Sequence, residues 1–444
     1  MHGDYIRVGH RQLSHTGLWR IADIIAASGL PREILPRDPV HKNRTASPLC
    51  TMRLATTEST RGGQPAPTSS GEPQKLLIVA STLHVGGAER VMACLAKNLD
   101  PQRVKVSVCY LKENGVVGEE LVRAGVELLP LPGRVYGRPD RLTFLKLRRL
   151  ILDRGFTLVH THDMHGFLDA CACRLTTPGF KHVHTFHFGN YPHREPLYRR
   201  LERLLWRVPD VLVGVGRAQA DSIRELYGIP ESRMRVLWNG VDRPIPRVSP
   251  EVLAAASGAT GPVIASISTL IPQKGLHHLI DAAAKLKTRG THFRLLIVGG
   301  GHLMDSLTDQ ARNLGLDDQH VRFLGWVPEA SDCALPACDI FVQSSLWEAM
   351  SVVVLEAMAS GKAMVITSVG ENPYVIEHGQ TGMVVPPGDP DALTDALHKL
   401  LTDPTLRNRL GQNARQRHAE RFRVTDMTHA YESLYAEMSM ERRP

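Results

Sequence analysis

At 444 residues with 43% hydrophobic side chains, the chain carries enough apolar material for two globular domains with sizeable cores. No apolar run approaches the ~20 residues that a bilayer-spanning helix needs, so any membrane contact is expected to be peripheral. The net charge of +8 is compatible with phosphate, anionic lipid or nucleic acid as partners. With only 5% aromatic residues and no stacking platform or recognition motif beside the basic stretches, nucleic acid is the poorest of the three. The seven cysteines are odd in number and contain no C-x-x-C. They read as reduced core residues of a cytosolic protein, not as a disulfide frame or a zinc site.

Residues 1–73 differ from the rest. Residues 51–73 are rich in Ser, Thr, Gly, Pro and Gln and have linker composition. Residues 18–30 (LWRIADIIAASGL) pattern one short amphipathic helix. There is no long apolar h-region, and Asp4, Glu33 and Asp38 stand among the arginines, so a secretory signal is not expected. The segment is expected to be a disordered extension, or the product of a start placed upstream of Met52.

A first domain is expected over 74–246. Residues 75–80 are a run of buried-strand length, and 81–90 (STLHVGGAER) lead from it into the helix-patterned 91–99. Strand, glycine turn, helix is the arrangement that lets backbone approach a phosphate or sugar, and Gly86 and Gly87 supply the room. The spacing is not G-x-G-x-x-G, so a dehydrogenase is not expected. Further strands predicted at 104–111, 126–131, 158–162, 182–187 and 211–215 alternate with helical stretches. That alternation predicts a doubly wound parallel sheet, which binds ligands at the carboxyl ends of its strands.

HTHD at 160–163 and HTFH at 184–187 put histidines at two such ends, where core packing and cleft duty both stay open. His160, His162, His165, His182, His184, His187 and His193 crowd this region, but no acidic or cysteine partner has ligand spacing, so a metal is not expected. Two basic stretches follow. One holds Arg134, Arg138, Arg141, Lys146, Arg148, Arg149 and Arg154. The other holds Arg194, Arg199, Arg200, Arg203 and Arg207, interleaved with Leu201, Leu204, Leu205 and Trp206. Its helical spacing fits a basic amphipathic helix on an anionic bilayer, or a surface helix packed on its own domain.

Prolines and small residues predict a linker over 247–260, followed by a second domain over 261–415 and a last helical segment over 416–444. Residues 263–268 read as a strand, 269–275 as its loop and 276–286 as a helix. Lys274, in that loop, suits a diphosphate as a point charge. Residues 293–301 repeat strand and glycine turn, ending through Gly299. The densest pattern is 344–361, SSLWEAMSVVVLEAMASG. It reads as a tight turn feeding a buried helix that starts near Ser351, with the Ser side chain as cap. The free amides of Met350, Ser351 and Val352 at that end make a phosphate site. Glu348 falls in the turn and Glu356 one to two turns down the helix, both suited to accept hydroxyl hydrogen bonds.

Glu348 and Glu356, set in FLG at 323–325, ACD at 337–339, EAMS at 348–351, EAMASG at 356–361 and GMVVPPGD at 382–389, resemble the E-x7-E region of retaining family 4 glycosyltransferases. GGAER at 86–90, HTFH at 184–187, NGVD at 239–242 and IVGGG at 297–301 extend the resemblance over about 75–440, more closely in the second domain. The resemblance implies the GT-B fold: two Rossmann-like α/β domains facing a cleft, with the last helix returning to the first domain. It implies transfer of a sugar from a nucleotide sugar, a UDP-sugar first, to a glycan or lipid-linked acceptor. Surface polysaccharide assembly at the cytoplasmic face of the membrane is the implied setting, with no metal required.

By the same resemblance His187 meets the donor sugar, and Glu348 orients its hydroxyls. Glu356 binds the ribose, Gly299 passes the nucleotide, and Gly86 and Gly87 face the donor phosphates or acceptor. His187 and Glu348 are the expected catalytic pair, as positioning or electrostatic groups. Two positions depart from the family pattern: Thr269 stands where an Arg usually partners Lys274, and Tyr374 where a Glu is usual. A nucleotide-sugar epimerase, a sugar phosphorylase or a non-catalytic scaffold of the same fold are the alternatives.

Overall fold

In the computed structural model, residues 72–131, 143–189 and 196–440 are described. The expectations for residues 1–71, and those for Arg134, Arg138, Arg141, His193 and Arg194, lie outside them.

Two all-parallel sheets form from the short apolar runs. The first orders its strands β3-β2-β1-β4-β5-β6-β7. They are β1 (Gln74–Thr82), β2 (Val104–Glu113), β3 (Glu127–Pro130), β4 (Leu158–Thr161), β5 (Lys181–Phe186), β6 (Val211–Gly214) and β7 (Met234–Val236). The second orders β10-β9-β8-β11-β12-β13. Its strands are β8 (Val263–Ile267), β9 (Arg294–Val298), β10 (Val321–Gly325), β11 (Ile340–Gln343), β12 (Ala363–Thr367) and β13 (Met383–Val385). Both are doubly wound, and strand order reverses beside β1 in one and β8 in the other. Those are the points where such sheets open a crevice at their carboxyl edges. Leu76, Leu77, Ile78 and Val79 of β1 are fully buried, because helices cover both faces of the sheet.

The helices that position the cleft are α1 (Gly87–Asn98), α2 (Met164–Thr176), α3 (Pro196–Leu205), α4 (Arg217–Tyr227), α5 (Pro250–Ala256), α6 (Leu276–Thr288), α7 (Val352–Ala359), α8 (Pro404–Arg421) and α9 (Val424–Met440). Two differ from expectation. The stretch 247–260, expected as linker, contains α5: Pro250 occupies the first helical turn with its fixed φ, and Ser249 Oγ accepts from Val252 N at 3.3 Å. The helical run expected from 416 breaks between α8 and α9. There the buried Phe422 gives its carbonyl to Val241 N at 3.0 Å. The chain turns at that bond, and Tyr431, Leu434, Tyr435 and Met438 of α9 enter the core that also holds Leu76, Ile78 and Val91.

Helix α3 uses its apolar side within its own domain. Leu201 and Leu205 are buried, as is Glu202, which accepts from the Tyr227 hydroxyl at 2.5 Å, while Arg199, Arg200 and Arg203 face outward. The apolar face expected as one option for a bilayer is therefore taken by the domain core.

Candidate active site

The carboxyl edges of the two sheets enclose a cavity of about 490 Å³. Gly86, Gly87 and His187 reach it from the first sheet, and Lys274, Gly299, Glu348, Met350, Ser351, Val352 and Glu356 from the second. The site residues expected from sequence thus meet at one place.

The second wall is built around an ion pair. Lys274 Nζ lies 2.6 Å from Glu348 Oε1, and Ser345 Oγ donates to the same oxygen at 2.8 Å. Glu348 is only 8% exposed, so without Lys274 its charge would be costly. Sequence placed the two in separate roles. Their contact spans 74 positions and had no local signal. The turn that carries Glu348 is strapped down: Ser344 Oγ donates to the Lys274 carbonyl at 2.9 Å, Leu346 N to the Gln273 carbonyl at 2.7 Å, and Thr367 Oγ1 to the Ser345 carbonyl at 2.6 Å.

The start of α7 differs from expectation. Ser351 occupies the cap position, but its side chain makes no cap hydrogen bond. Its Oγ instead accepts from Gln343 Nε2 at 2.7 Å, and Gln343 is held in turn by Asn372 Nδ2 at 2.9 Å. The hydroxyl is drawn into a buried amide network, which leaves the helix start uncapped at the cavity. Such an end suits an anion. Met350 is fixed by the crossing segment, where Asn239 Nδ2 donates to its carbonyl at 3.2 Å. Gly299 has φ +140°, and a Cβ there would fall 1.9 Å from the Ser268 carbonyl oxygen, so only glycine lets β9 end beside the β8 loop. Glu356 lies half-buried on the cavity wall and accepts from Ser331 Oγ. Burial raises its pKa, against the pull of the Ser331 hydrogen bond and the Arg90 charge.

On the first wall the strand-end histidines are neutral. His187 Nε2 lies 2.9 Å from His162 Nδ1, and both rings line the cavity. Burial lowers the His187 pKa to about 4 and that of His162 well below its usual value. The other strand-end histidines belong to the core. His160 sits between the Tyr435 hydroxyl at 2.8 Å and Thr185 Oγ1 at 2.7 Å, and His182 and His184 share Thr161 Oγ1 at 3.0 and 2.9 Å. The walls touch where Gly189 follows His187: a Cβ there would lie 2.0 Å from the Glu348 carbonyl carbon. They are joined again by Glu371, fully buried, whose carboxylate accepts from Trp238 Nε1 at 2.9 Å and from Ala218 N, in the first turn of α4, at 3.2 Å. Tyr374, the second departure from the family pattern, is half-exposed and is not among the cavity residues.

Three features of the cavity escaped the sequence. The Glu89 carboxylate folds over Gly86, where a side chain on that glycine would collide with it. Trp326, 61% exposed, stands on the wall just past β10. Arg90 faces the same space. GGAER contained two of these residues, but nothing local says which way a charge on the first turn of α1 points.

Two family models match the chain. Glycosyltransferase Family 4 covers residues 85–243 and Glycosyl transferases group 1 covers 254–417. The lipopolysaccharide core biosynthesis glycosyltransferase LpsE of Rhizobium meliloti is 27% identical over 355 residues, 79% of this chain and 96% of that protein. A glycogen synthase of Mycobacterium tuberculosis is 30% identical over 313 residues, 68% of this chain and 74% of that protein. Among solved structures, Anabaena HepE in complex with UDP and glucose superposes with a TM-score of 0.72 at 21% identity, covering 82% of this chain and 99% of that one. With sequence likeness on both sides of the cleft and the matching two-sheet framework, the chain belongs to the family 4 glycosyltransferases of the GT-B fold.

Proposed function

We propose that this glycosyltransferase moves a sugar, with retention, from a UDP-sugar to a hydroxyl of a glycan or lipid-linked acceptor. The observation that carries the proposal is the Lys274–Glu348 pair beside the uncapped start of α7, facing His187 across the cavity. The bond from the sugar C1 to the diphosphate breaks while the acceptor oxygen bonds C1 on the same face, and the acceptor proton passes to the leaving phosphate. Negative charge grows on the diphosphate, and Lys274 with the amides of Met350 to Val352 answers it. Glu348, held by Lys274 and Ser345, orients sugar hydroxyls, and Glu356 takes the ribose. His187, kept neutral by burial and engaged by His162 at Nε2, offers its other ring nitrogen to a hydroxyl. It positions the sugar and is not a proton donor near pH 7.

The assignment of 74–246 to the acceptor and 261–415 to the donor belongs to the same proposal. The UDP bound by HepE and the lipopolysaccharide role in the name of LpsE support the donor and acceptor classes. Work at the cytoplasmic face of an anionic membrane is part of the proposal too, through the outward Arg199, Arg200 and Arg203 of α3.

The test is a thermal-shift screen of the full chain against UDP-, GDP- and ADP-sugars, repeated with Glu356→Gln. Stabilisation by UDP-sugars is expected. In the variant the donor affinity should fall about tenfold, or about 1.4 kcal/mol. Normal donor affinity and turnover in Glu356→Gln would sink the ribose assignment, and stabilisation by another nucleotide class would replace UDP.

A further inference from the structure

Among the described residues that line the cavity are six carboxylates: Glu89, Asp163, Glu329, Asp332, Glu348 and Glu356. Against them stand two permanent cations, Lys274 and Arg90. A nucleoside diphosphate adds two or more negative charges to this space, so its entry depends on which cations are free to meet it. Lys274 is already bound to Glu348 at 2.6 Å. Arg247, which pairs with Asp332 at 3.3 Å, is not among the cavity residues. The Arg90 guanidinium makes no ion pair or side-chain hydrogen bond among the described residues. It is half-buried, and its charge reaches the Glu356 and Asp332 carboxylates across the cavity.

Resting on the transferase reading, we infer that Arg90 is a donor-binding residue, delivered from the first domain to the diphosphate held by the second. The planar guanidinium matches two phosphate oxygens at once, which a lysine ammonium does not. Its backbone lies in the first turn of α1, on the opposite wall from Lys274 and α7. Glu89, beside Arg90, keeps its own carboxylate folded back over Gly86. The anion site on this wall is accordingly the Arg90 side chain and not the amides at the glycine turn.

The inference is tested by titration calorimetry of the full chain and of Arg90→Gln with UDP and with uridine, and in parallel with GDP and guanosine and with ADP and adenosine. The variant is expected to keep its melting midpoint and its nucleoside affinity and to lose at least about tenfold in diphosphate affinity. Arg90→Lys is expected to retain part of that affinity. Thr269 is exposed on the facing loop of the cavity, so Thr269→Arg in the Arg90→Gln background is expected to recover most of the loss. Unchanged diphosphate affinity in Arg90→Gln overturns the inference alone. An equal loss for diphosphate and nucleoside also overturns it, because that pattern marks a disturbed wall and not a missing phosphate contact. Wild-type protein that binds none of the three diphosphates overturns the transferase reading and takes this inference with it.

Discussion

The two walls of the cleft solve the same problem, placing polar groups in a narrow space, by opposite means. The second wall keeps charge, neutralises it within the wall as Lys274–Glu348, and straps the loop that carries it with backbone and hydroxyl bonds. The first wall keeps its histidines uncharged. His162 and His187 on the wall, and His160, His182 and His184 in the core behind it, are buried deeply enough that burial lowers every one of their pKa values. Protonating a buried imidazole costs more than its hydroxyl and ring neighbours return. Glu89, Arg90 and Asp163 are the charged groups of the first wall, and Arg90 alone of them is a cation, whose charge reaches Glu356 and Asp332 on the other side.

The contrast breaks first under acid. An unfolded histidine takes a proton below about 6.5, while folded His187 resists to about 4 and His182 to about 3. In that window the unfolded chain binds more protons, so stability falls as pH drops from about 6.5 toward 4, by up to about 1.4 kcal/mol per pH unit for each ring that stays neutral. Glu202, raised to about 7 by burial, acts the other way, as do Glu89, Asp332 and Glu356, whose pKa values burial also raises, while His277 and His418, lowered by burial, act with the five rings. Urea unfolding at pH 7, 6 and 5 checks the sign, and a flat profile would mean that the rings are not held neutral.

Lys274→Ala strikes the ionic wall. It leaves the Glu348 charge buried without a partner and removes the cation from the leaving group. A fall in kcat/KM of about a thousandfold, near 4 kcal/mol, is expected. Lys274→Met combined with Glu348→Gln should recover melting temperature but not turnover, separating the structural cost of the pair from its chemical use. The smallest effect belongs to the neutral wall: Tyr435→Phe removes the partner of His160 Nδ1 and should cost about 1–2 kcal/mol in urea unfolding with turnover unchanged. A loss of turnover equal to that of Lys274→Ala would show that α9 shapes the sugar site and does not merely close the core.

Local pattern sufficed for much of this protein. Short apolar runs marked most of the strands, because a strand buried on both faces has no polar alternation to obscure it. Glu348 and Glu356 stood out because acids are rare inside an apolar run without a duty. The helix inside the expected linker was missed because proline was read as a breaker, although Ser249 and Pro250 are also what begins a helix.

Other features became visible only once the chain was folded. Whether Ser351 caps its helix depends on Gln343, which arrives from β11 and takes the hydroxyl first. Which histidines reach the cavity depends on the register of β4 against β5, since it is Thr161 that ties His182 and His184 into the core and leaves His162 and His187 at the edge. Residue order, through side-chain period and backbone propensity, determined the strands, the two sheets and the acids of the cleft. Pairing of charges, the neutrality of the histidines and the direction of Arg90 were decided by tertiary structure, because each depends on desolvation and on partners that lie far away along the chain.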